Sequence, residues 1–454
     1  MELPLNISAL QEFTLQNFAK RKCLSDEGTS LTFEKFWDVV GTESKEFSHQ
    51  NPKTPIVIFA EISISTLIKF FAIWKAGGVV VPLNPKLSYS QKEKILEQIR
   101  PWRIIQSKKN LTTTLDNPLY LPLEVDLLIA TSGSTGFPKL VALSIANFTW
   151  SAKGSSENIP VDPDDKWLIN LPLFHVGGMS IVFRTMLAGA NAIIAPKNLD
   201  ADFIDQKRIT HFSLVATQLD RFIKTDVPLN RDTKAILVGG SKIPQFLIRK
   251  SMELNLPIHT SYGCSEMASQ VCTTAQGATI VELMTAGKVL ASRQLQIDKE
   301  RRIQLNGKTR FLGYWQNHKL QKPFDENGWF TSNDLGEFDK NGFLKVMGRL
   351  DRMFISGGEN IHPEQIEQAL LDIEGILNAV VIDMPSKTYG SRPVAFLQGQ
   401  KNYDDLILRK LLSENLTPFQ IPDVFLNWPF QEFSLKPSLN EFRQIAQNRI
   451  SICY

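Results

Sequence analysis

At 454 residues the chain exceeds what one compact core organises, so two or more domains are expected. Its 50 lysines and arginines nearly balance 47 aspartates and glutamates, and no run of like charge marks a nucleic-acid groove, which leaves small molecules as the expected partners. Cys23, Cys264, Cys272 and Cys453 form no CxxC pair and so give no sign of a zinc knuckle or disulfide framework, and MELPLNISAL carries neither a basic nor a long apolar leader; a cytoplasmic protein without membrane insertion is expected, its oligomeric state open, a homo-oligomer included.

The first elements alternate amphipathic helices with short apolar runs, the rhythm of an α/β sheet: a helix near Ile7 to Lys20, a second in LTFEKFWDVVGTESKEF, and PIVIFA as a buried strand. A helix from Ile64 to Ala76 stops at Gly77-Gly78 before the strand VVVPLNP. Tyr89 to Ile99 reads as a polar helix, Arg103 to Gln106 as a strand, and the residues after it as a turn-rich linker.

That linker leads to TSGSTGFPK, Thr131 to Lys139, set between the strand-like runs Val125 to Ala130 and Leu140 to Leu143. Gly133 and Gly136 permit backbone N–H groups to approach phosphate oxygens, and Thr131, Ser132, Ser134 and Thr135 add hydroxyls. Lys139 supplies a point charge at the end of the loop. Pro138 disfavours a helical Phe137, so the loop is expected to join two strands rather than a strand and a helix.

Beyond a helix from Ser144 to Ser155 and a strand from Lys166, PLFHVGGM places His175 where a strand ends and Gly177-Gly178 open a helix, the usual ligand edge of an open α/β sheet. Nine residues on, Arg184 sits in the apolar helix SIVFRTMLAGA. It either snorkels to solvent or pairs with a second carboxylate on a substrate. The strand Ala235 to Val238 ends in Gly239-Gly240-Ser241, bringing backbone close to a ligand.

Next, LPIHTSYGCSEMAS carries a strand to Ser261, then Tyr262 with a flat aromatic face, Gly263, Ser265 with a hydroxyl, and Glu266 with a hard carboxylate oxygen. From Gly287 to Asn306, GKVL, RQLQID and RIQL suggest a small β subdomain. TSNDLGEFD places Asp334 where it is either a ligand-facing carboxylate or an ordinary turn aspartate. Gly348 to Arg352 is a short polar crossing suited to a hinge, followed by the glycine loop Ser356-Gly357-Gly358-Glu359-Asn360 and a helix opened by His362-Pro363. The remaining residues read as a compact α/β module, with Lys436 before a terminal helix.

Taken together, TSGSTGFPK, PLFH, YGCSE and GRLDR…SGGENIHPEQIE resemble, in order, the signature blocks of the adenylate-forming enzymes, which comprise acyl-CoA synthetases, luciferases and peptide-synthetase adenylation domains. The resemblance implies a large N-terminal domain of α/β sheets with a small β subdomain (1–348), a hinge (349–352) centred on Asp351, and a smaller mobile C-terminal α/β domain (353–454). It also implies a two-step acid–CoA ligase using ATP, Mg²⁺ and coenzyme A. By the same resemblance the 131–139 loop holds the phosphates, with Gly239, Gly240, Ser241, Ser261, Tyr262, Gly263 and Ser265 around the adenine and α-phosphate. Asp334 and Arg349 take the ribose, Glu266 the metal, and His175 lies by the acyl pocket and thiol tunnel. Lys436 falls where the family carries its catalytic lysine, and Gly357, Gly358 and Glu359 line the thiol channel. Three positions depart from the pattern: Ser265 stands for the threonine of YGxTE and keeps a hydroxyl, Asn333 stands for the glycine of a TGD core, and Lys436 lacks the glycine and arginine of GKxxR, having Leu435 before it and Leu439 after. The departure at Lys436 keeps a non-catalytic adenylate-binding protein as the alternative. A ligase for monocarboxylic acids is the other, since it would share every nucleotide residue.

Overall fold

The computed structural model describes residues 2–48, 52–106, 111–131, 139–196, 201–225, 232–241, 243–399, 404–430 and 439–450. Among these described residues the strands form four sheets. One runs, edge to edge, through Lys319–Gln321, Gly313–Gln316, Lys139–Leu143, Leu127–Thr131, Val79–Leu83, Pro55–Phe59, Arg103–Gln106 and Leu111–Thr114. Its central strands are parallel and read as unbroken apolar runs, as strands covered on both faces must. The second, larger sheet orders Lys288–Val289, Ser269–Thr273, Ile258–Cys264, Ala235–Val238, His211–Leu214, Lys166–Ile169, Asn191–Ile194, Lys22–Ser25 and Ser30–Thr32.

Between these sheets lie the helices Phe33–Ser44, Ile64–Lys75, Ile145–Ser156 and Val176–Ala188, whose aromatic side chains form one core. Phe71 meets Phe36 and Trp74 edge-on, each at 5.1 Å between centroids, and Phe148 stacks on Phe183 at 5.1 Å. Such pairs add about 0.5–1.5 kcal/mol each beyond area burial, which makes this layer a rigid floor for whatever sits at the strand ends.

A small antiparallel sheet, Arg293–Ile297, Arg302–Gly307, Phe330–Phe338 and Leu344–Arg349, follows. The C-terminal module has its own sheet of Phe354–Ser356, Glu359–Ile361, Gly390–Gly399, Ile376–Ser386 and Val424–Asn427. Helices Pro363–Leu371 and Asp405–Ser413 pack on one side of it and Leu439–Ile450 on the other, so it carries two apolar clusters independent of the larger core.

Two expectations need correction. The residues after Gln106 are not only linker: Leu111–Thr114 pairs antiparallel with Arg103–Gln106. And the GKVL run does not join the small β sheet. Lys288–Val289 pairs instead with Ser269–Thr273, because Gly287, at φ +82°, lets the chain run against Thr273 where a Cβ would lie 2.0 Å from its carbonyl carbon.

Candidate functional site

The strands flanking the glycine-rich loop are antiparallel neighbours, closed by the pair Thr131 and Lys139. The Thr131 hydroxyl donates to the Lys139 carbonyl at 3.2 Å. Ser132, Gly133, Ser134, Thr135 and Gly136 lie outside the described residues, as does Lys436. Lys139 starts its strand with an exposed side chain, and its ammonium sits 5.1 Å from the centroid of Tyr314. Tyr314 arrives from the strand Gly313–Gln316, which pairs with Lys139–Leu143.

The Tyr314 hydroxyl donates to Glu266 Oε1 at 2.7 Å. Burial, then the neighbouring carboxylate, pushes this phenol far above its ordinary range, so it stays a donor. Glu266 itself lies in a one-turn helix, Ser265–Met267, followed by Ala268 at φ +49° and Ser269 at φ +104°. Two consecutive non-glycine residues in that region cost roughly 1–3 kcal/mol each. The turn is pinned from outside: Phe311 N–H donates to the Glu266 carbonyl at 2.7 Å, and the Ser151 hydroxyl to the Ala268 carbonyl at 2.8 Å.

Tyr314 is the residue that reading the motifs missed. It lies in GYWQN, a stretch with no local chemistry; its place beside Glu266 follows from strand pairing alone.

On the strand that leads into the Glu266 turn, Ile258–Cys264, Tyr262 donates to Asp334 Oδ2 at 2.6 Å, and burial followed by that carboxylate raises its pKa well above the usual phenol value. Gly263 is required where the hairpin closes, since a Cβ would lie 2.1 Å from the Ser269 carbonyl oxygen. At Gly239 a Cβ would meet Ser261 Oγ at 2.7 Å, so a larger residue there would make the serine side chain turn away. Ser241 is exposed just beyond Gly240, which turns at φ +85°. Tyr262, Ser261, Gly239 and Gly240 therefore line one strand edge, with Asp334 at its side.

Asp334 also takes Arg349 Nη1 at 3.0 Å through Oδ1. Arg349 in turn forks onto Asp351 with Nε at 2.9 Å and Nη2 at 2.8 Å, and this pairing raises its already high pKa further. Asn333, at the departure from the family pattern, donates from Nδ2 to Asp351 Oδ2 at 3.3 Å. Arg352 points the other way, onto Glu367 at 2.6 Å and Glu364 at 3.2 Å. The crossing thus divides: Arg349 is tied to the large domain and Arg352 to the small one, with Leu350 and Asp351 between.

His175 caps the helix Val176–Ala188 and is exposed, its ring 4.7 Å from that of Phe174. Gly178 packs so close to the preceding turn that a Cβ would lie 2.3 Å from the Pro172 carbonyl oxygen. Further along the helix Arg184 is 3% exposed, which overturns snorkelling. Its guanidinium carbon lies 5.0 Å from the Trp167 ring centroid and its Nη2 donates to Gln270 Oε1, while Nε is buried without a hydrogen-bond partner. Burial, then the nearby Arg293, lowers its pKa to about 9. Among the described residues no carboxylate pairs with it.

Gly357 (φ +59°), Gly358 (φ +90°) and Glu359 form an exposed hairpin tip on the C-terminal module. Among the described residues they share no hydrogen bond or ion pair with Tyr262, Glu266 or Asp334. The structure therefore links Lys139 to Glu266 through Tyr314, and Tyr262, Asp334, Arg349 and Asp351 to one another through direct contacts, and among the described residues the 357–359 tip is part of neither network.

No group of three His, Cys, Asp or Glu side chains among the described residues could cage a metal ion. Glu266 fits a different use: its carboxylate would supply one hard oxygen to a divalent cation, with the Lys139 ammonium on the same tyrosine.

Comparison with known proteins bears on this geometry. The family model described as AMP-binding enzyme matches residues 12–126 and 122–313. The 2-succinylbenzoate–CoA ligase of Bacillus cytotoxicus is 30% identical over 439 residues, 87% of this chain and 89% of that protein. The o-succinylbenzoate CoA synthetase of Bacillus subtilis in complex with the acyl-adenylate intermediate OSB-AMP superposes with a TM-score of 0.85 at 25% identity, covering 98% of this chain and 99% of that one. The same Bacillus subtilis enzyme with ATP and magnesium ion gives 0.81 at 25% identity, covering 92% of this chain and 95% of that one. This chain belongs to the family of AMP-binding enzymes.

Proposed function

We propose that the protein is an ATP-dependent o-succinylbenzoate–CoA ligase that works in two steps through an acyl-adenylate, as in menaquinone biosynthesis. The observation that carries the choice of acid is Arg184, a guanidinium buried without a carboxylate among the described residues. o-Succinylbenzoate has an aliphatic carboxylate to activate and an aromatic one to be recognised, and a buried arginine is suited to the second. The relatives named above, ligases of the same acid, support the reading.

A carboxylate is a poor acylating agent because its leaving group would be oxide. Attack of its oxygen on the α-phosphorus of ATP makes AMP the later leaving group and divides one difficult step into two. In this proposal the 131–139 loop and Lys139 receive the departing pyrophosphate, and Glu266 holds Mg²⁺, which neutralises phosphate charge. Tyr262, Ser261, Gly239, Gly240 and Ser241 seat the adenine, Ser265 the α-phosphate, and Asp334 with Arg349 the ribose. Lys436 bridges the carboxylate and α-phosphate. The C-terminal module, 353–454, then turns about Asp351, withdrawing Lys436 and carrying Gly357, Gly358 and Glu359 to a thiol channel beside His175. There coenzyme A displaces AMP.

Pyrophosphate release from MgATP is measured with o-succinylbenzoate, benzoate and hexanoate, with and without CoA, and the products are weighed by mass spectrometry. Release with o-succinylbenzoate, and its CoA thioester when CoA is present, is expected. Preference for either monocarboxylate, or nucleotide binding without pyrophosphate release, would overturn the proposal.

A further inference from the structure

Arg184 and Gln270 are each 3% exposed and lie on elements 86 residues apart, the helix Val176–Ala188 and the strand Ser269–Thr273. Trp167 covers one face of the guanidinium and Gln270 Oε1 caps its edge. The amide is held in one orientation. Its Nε2 donates to Thr273 Oγ1 at 2.7 Å, and that hydroxyl already gives its proton to the Cys272 carbonyl at 2.7 Å. A flipped amide would set Nε2 against Arg184 Nη2, donor against donor, and leave its oxygen without the Thr273 proton. The Ser155 hydroxyl donates to the same Oε1 at 2.8 Å and steers it from a third side.

A second buried guanidinium lies close by. Arg293, 6% exposed, donates from Nε to the Gln270 carbonyl at 2.8 Å, and to the carbonyls of Ala291 at 2.8 Å and Ser151 at 3.0 Å. Gly154 makes room for it, since a Cβ there would lie 2.2 Å from Arg293 Nη1. Every acceptor given to these two cations is a neutral oxygen. Among the described residues no carboxylate hydrogen-bonds either cation, Glu157 acts on Arg293 only through its charge, and Arg184 Nε is left unpaired, an arrangement that costs desolvation energy unless an anion completes it.

We infer that Gln270 is a specificity-determining residue for the acid: its neutral amide oxygen fixes the Arg184 guanidinium without cancelling its charge, which keeps that charge for a distal carboxylate of the substrate. The inference rests on the acid pocket proposed above and adds to it the residue that sets the pocket's charge. A glutamate at this position has nearly the same shape and would hand Arg184 a permanent internal partner. The pocket would then repel an acid with a second carboxylate and accept its neutral-ended analogue.

The test compares wild type, Q270E and S155A in pyrophosphate release with o-succinylbenzoate and with 4-oxo-4-phenylbutanoate, the same acid without its ring carboxylate. Wild type is expected to favour the first by about a hundredfold in kcat/KM, the usual scale for a buried charge pair. In Q270E that ratio falls to within a few-fold of one. S155A, which loses only the hydroxyl steering Oε1, raises KM for o-succinylbenzoate roughly fivefold without lowering kcat. A wild type indifferent to the ring carboxylate overturns the proposed function, and this inference with it. A discriminating wild type with an equally discriminating Q270E overturns the role of Gln270 alone; should Q270E fail to fold, an unchanged KM in S155A does the same.

Discussion

The Tyr314 hydroxyl donates to Glu266 Oε1 at 2.7 Å while the Lys139 ammonium lies 5.1 Å from the centroid of the same ring. One aromatic side chain thus spaces a carboxylate and an ammonium of opposite charge, each oriented by the tyrosine and neither neutralising the other. A site for a metal–polyphosphate needs both charges kept apart in this way.

Tyr314→Phe keeps the ring and removes the donor. Hydrogen bonds to charged groups contribute about 1.5–3 kcal/mol, so adenylation is expected to slow roughly tenfold or more, with a raised half-saturating Mg²⁺ concentration. Pyrophosphate release titrated with Mg²⁺ reads both; an unchanged Mg²⁺ dependence would separate Tyr314 from the metal site.

Glu266→Gln removes the charge and keeps the Tyr314 contact. The expected loss in adenylation rate is about a hundredfold, near 3 kcal/mol, with thermal stability little changed. Rate and melting temperature measured on one preparation check it.

Asp334→Asn weakens the pairing with Arg349 and with Tyr262 at once. Calorimetric titration with ATP should show affinity reduced about tenfold, since charge-assisted bonds are being made neutral. Equal affinity would place the ribose elsewhere.

Acid stability should depend on His211. It is fully buried on the face of Trp167, with hydrogen bonds to Thr210 and to the Pro160 carbonyl. Burial, helped by Lys234 and His259, lowers its pKa to about 4 against the opposing Asp165 charge and the Pro160 hydrogen bond. Its folded pKa therefore lies below the unfolded value of about 6.5. Above pH 6.5 the ring is neutral in both states and imposes nothing. As pH falls from 6.5 towards 4 the unfolded chain takes up the proton first, and stability drops by up to about 3 kcal/mol. His259, also lowered by burial, acts in the same direction. Melting temperature against pH should fall across this window and flatten in His211→Gln; an identical slope in the variant would assign the loss to other groups.

The identity of the chemistry was legible because it resides in contiguous runs. TSGSTGFPK, YGCSE and SGGENIHPEQIE each hold their glycines, hydroxyls and charges within a few residues, and the α/β rhythm around them is a matter of local periodicity. The strand-to-strand setting of the loop followed likewise from Pro138 and its apolar flanks, and Lys139 pairs across the ladder with Thr131. Leu111–Thr114, read as linker, pairs with the strand just before it, whereas two other outcomes turned on partners distant in sequence. Lys288–Val289 joined the larger sheet because Thr273 offered an edge, and Arg184, whose apolar helix was compatible with either solvent or core, was drawn inward by Trp167 and Gln270.

The sequence by itself determined the α/β class and the order of the blocks that place the chain among the AMP-binding enzymes, since each depends on residue type and short-range spacing. Only the tertiary structure decided that Tyr314 meets Glu266 across 48 residues, that Tyr262 meets Asp334 across 72, and that Arg184 is capped by a neutral glutamine. Those contacts depend on strand register and helix packing, which many side chains settle cooperatively, and no short stretch of chain carries that information.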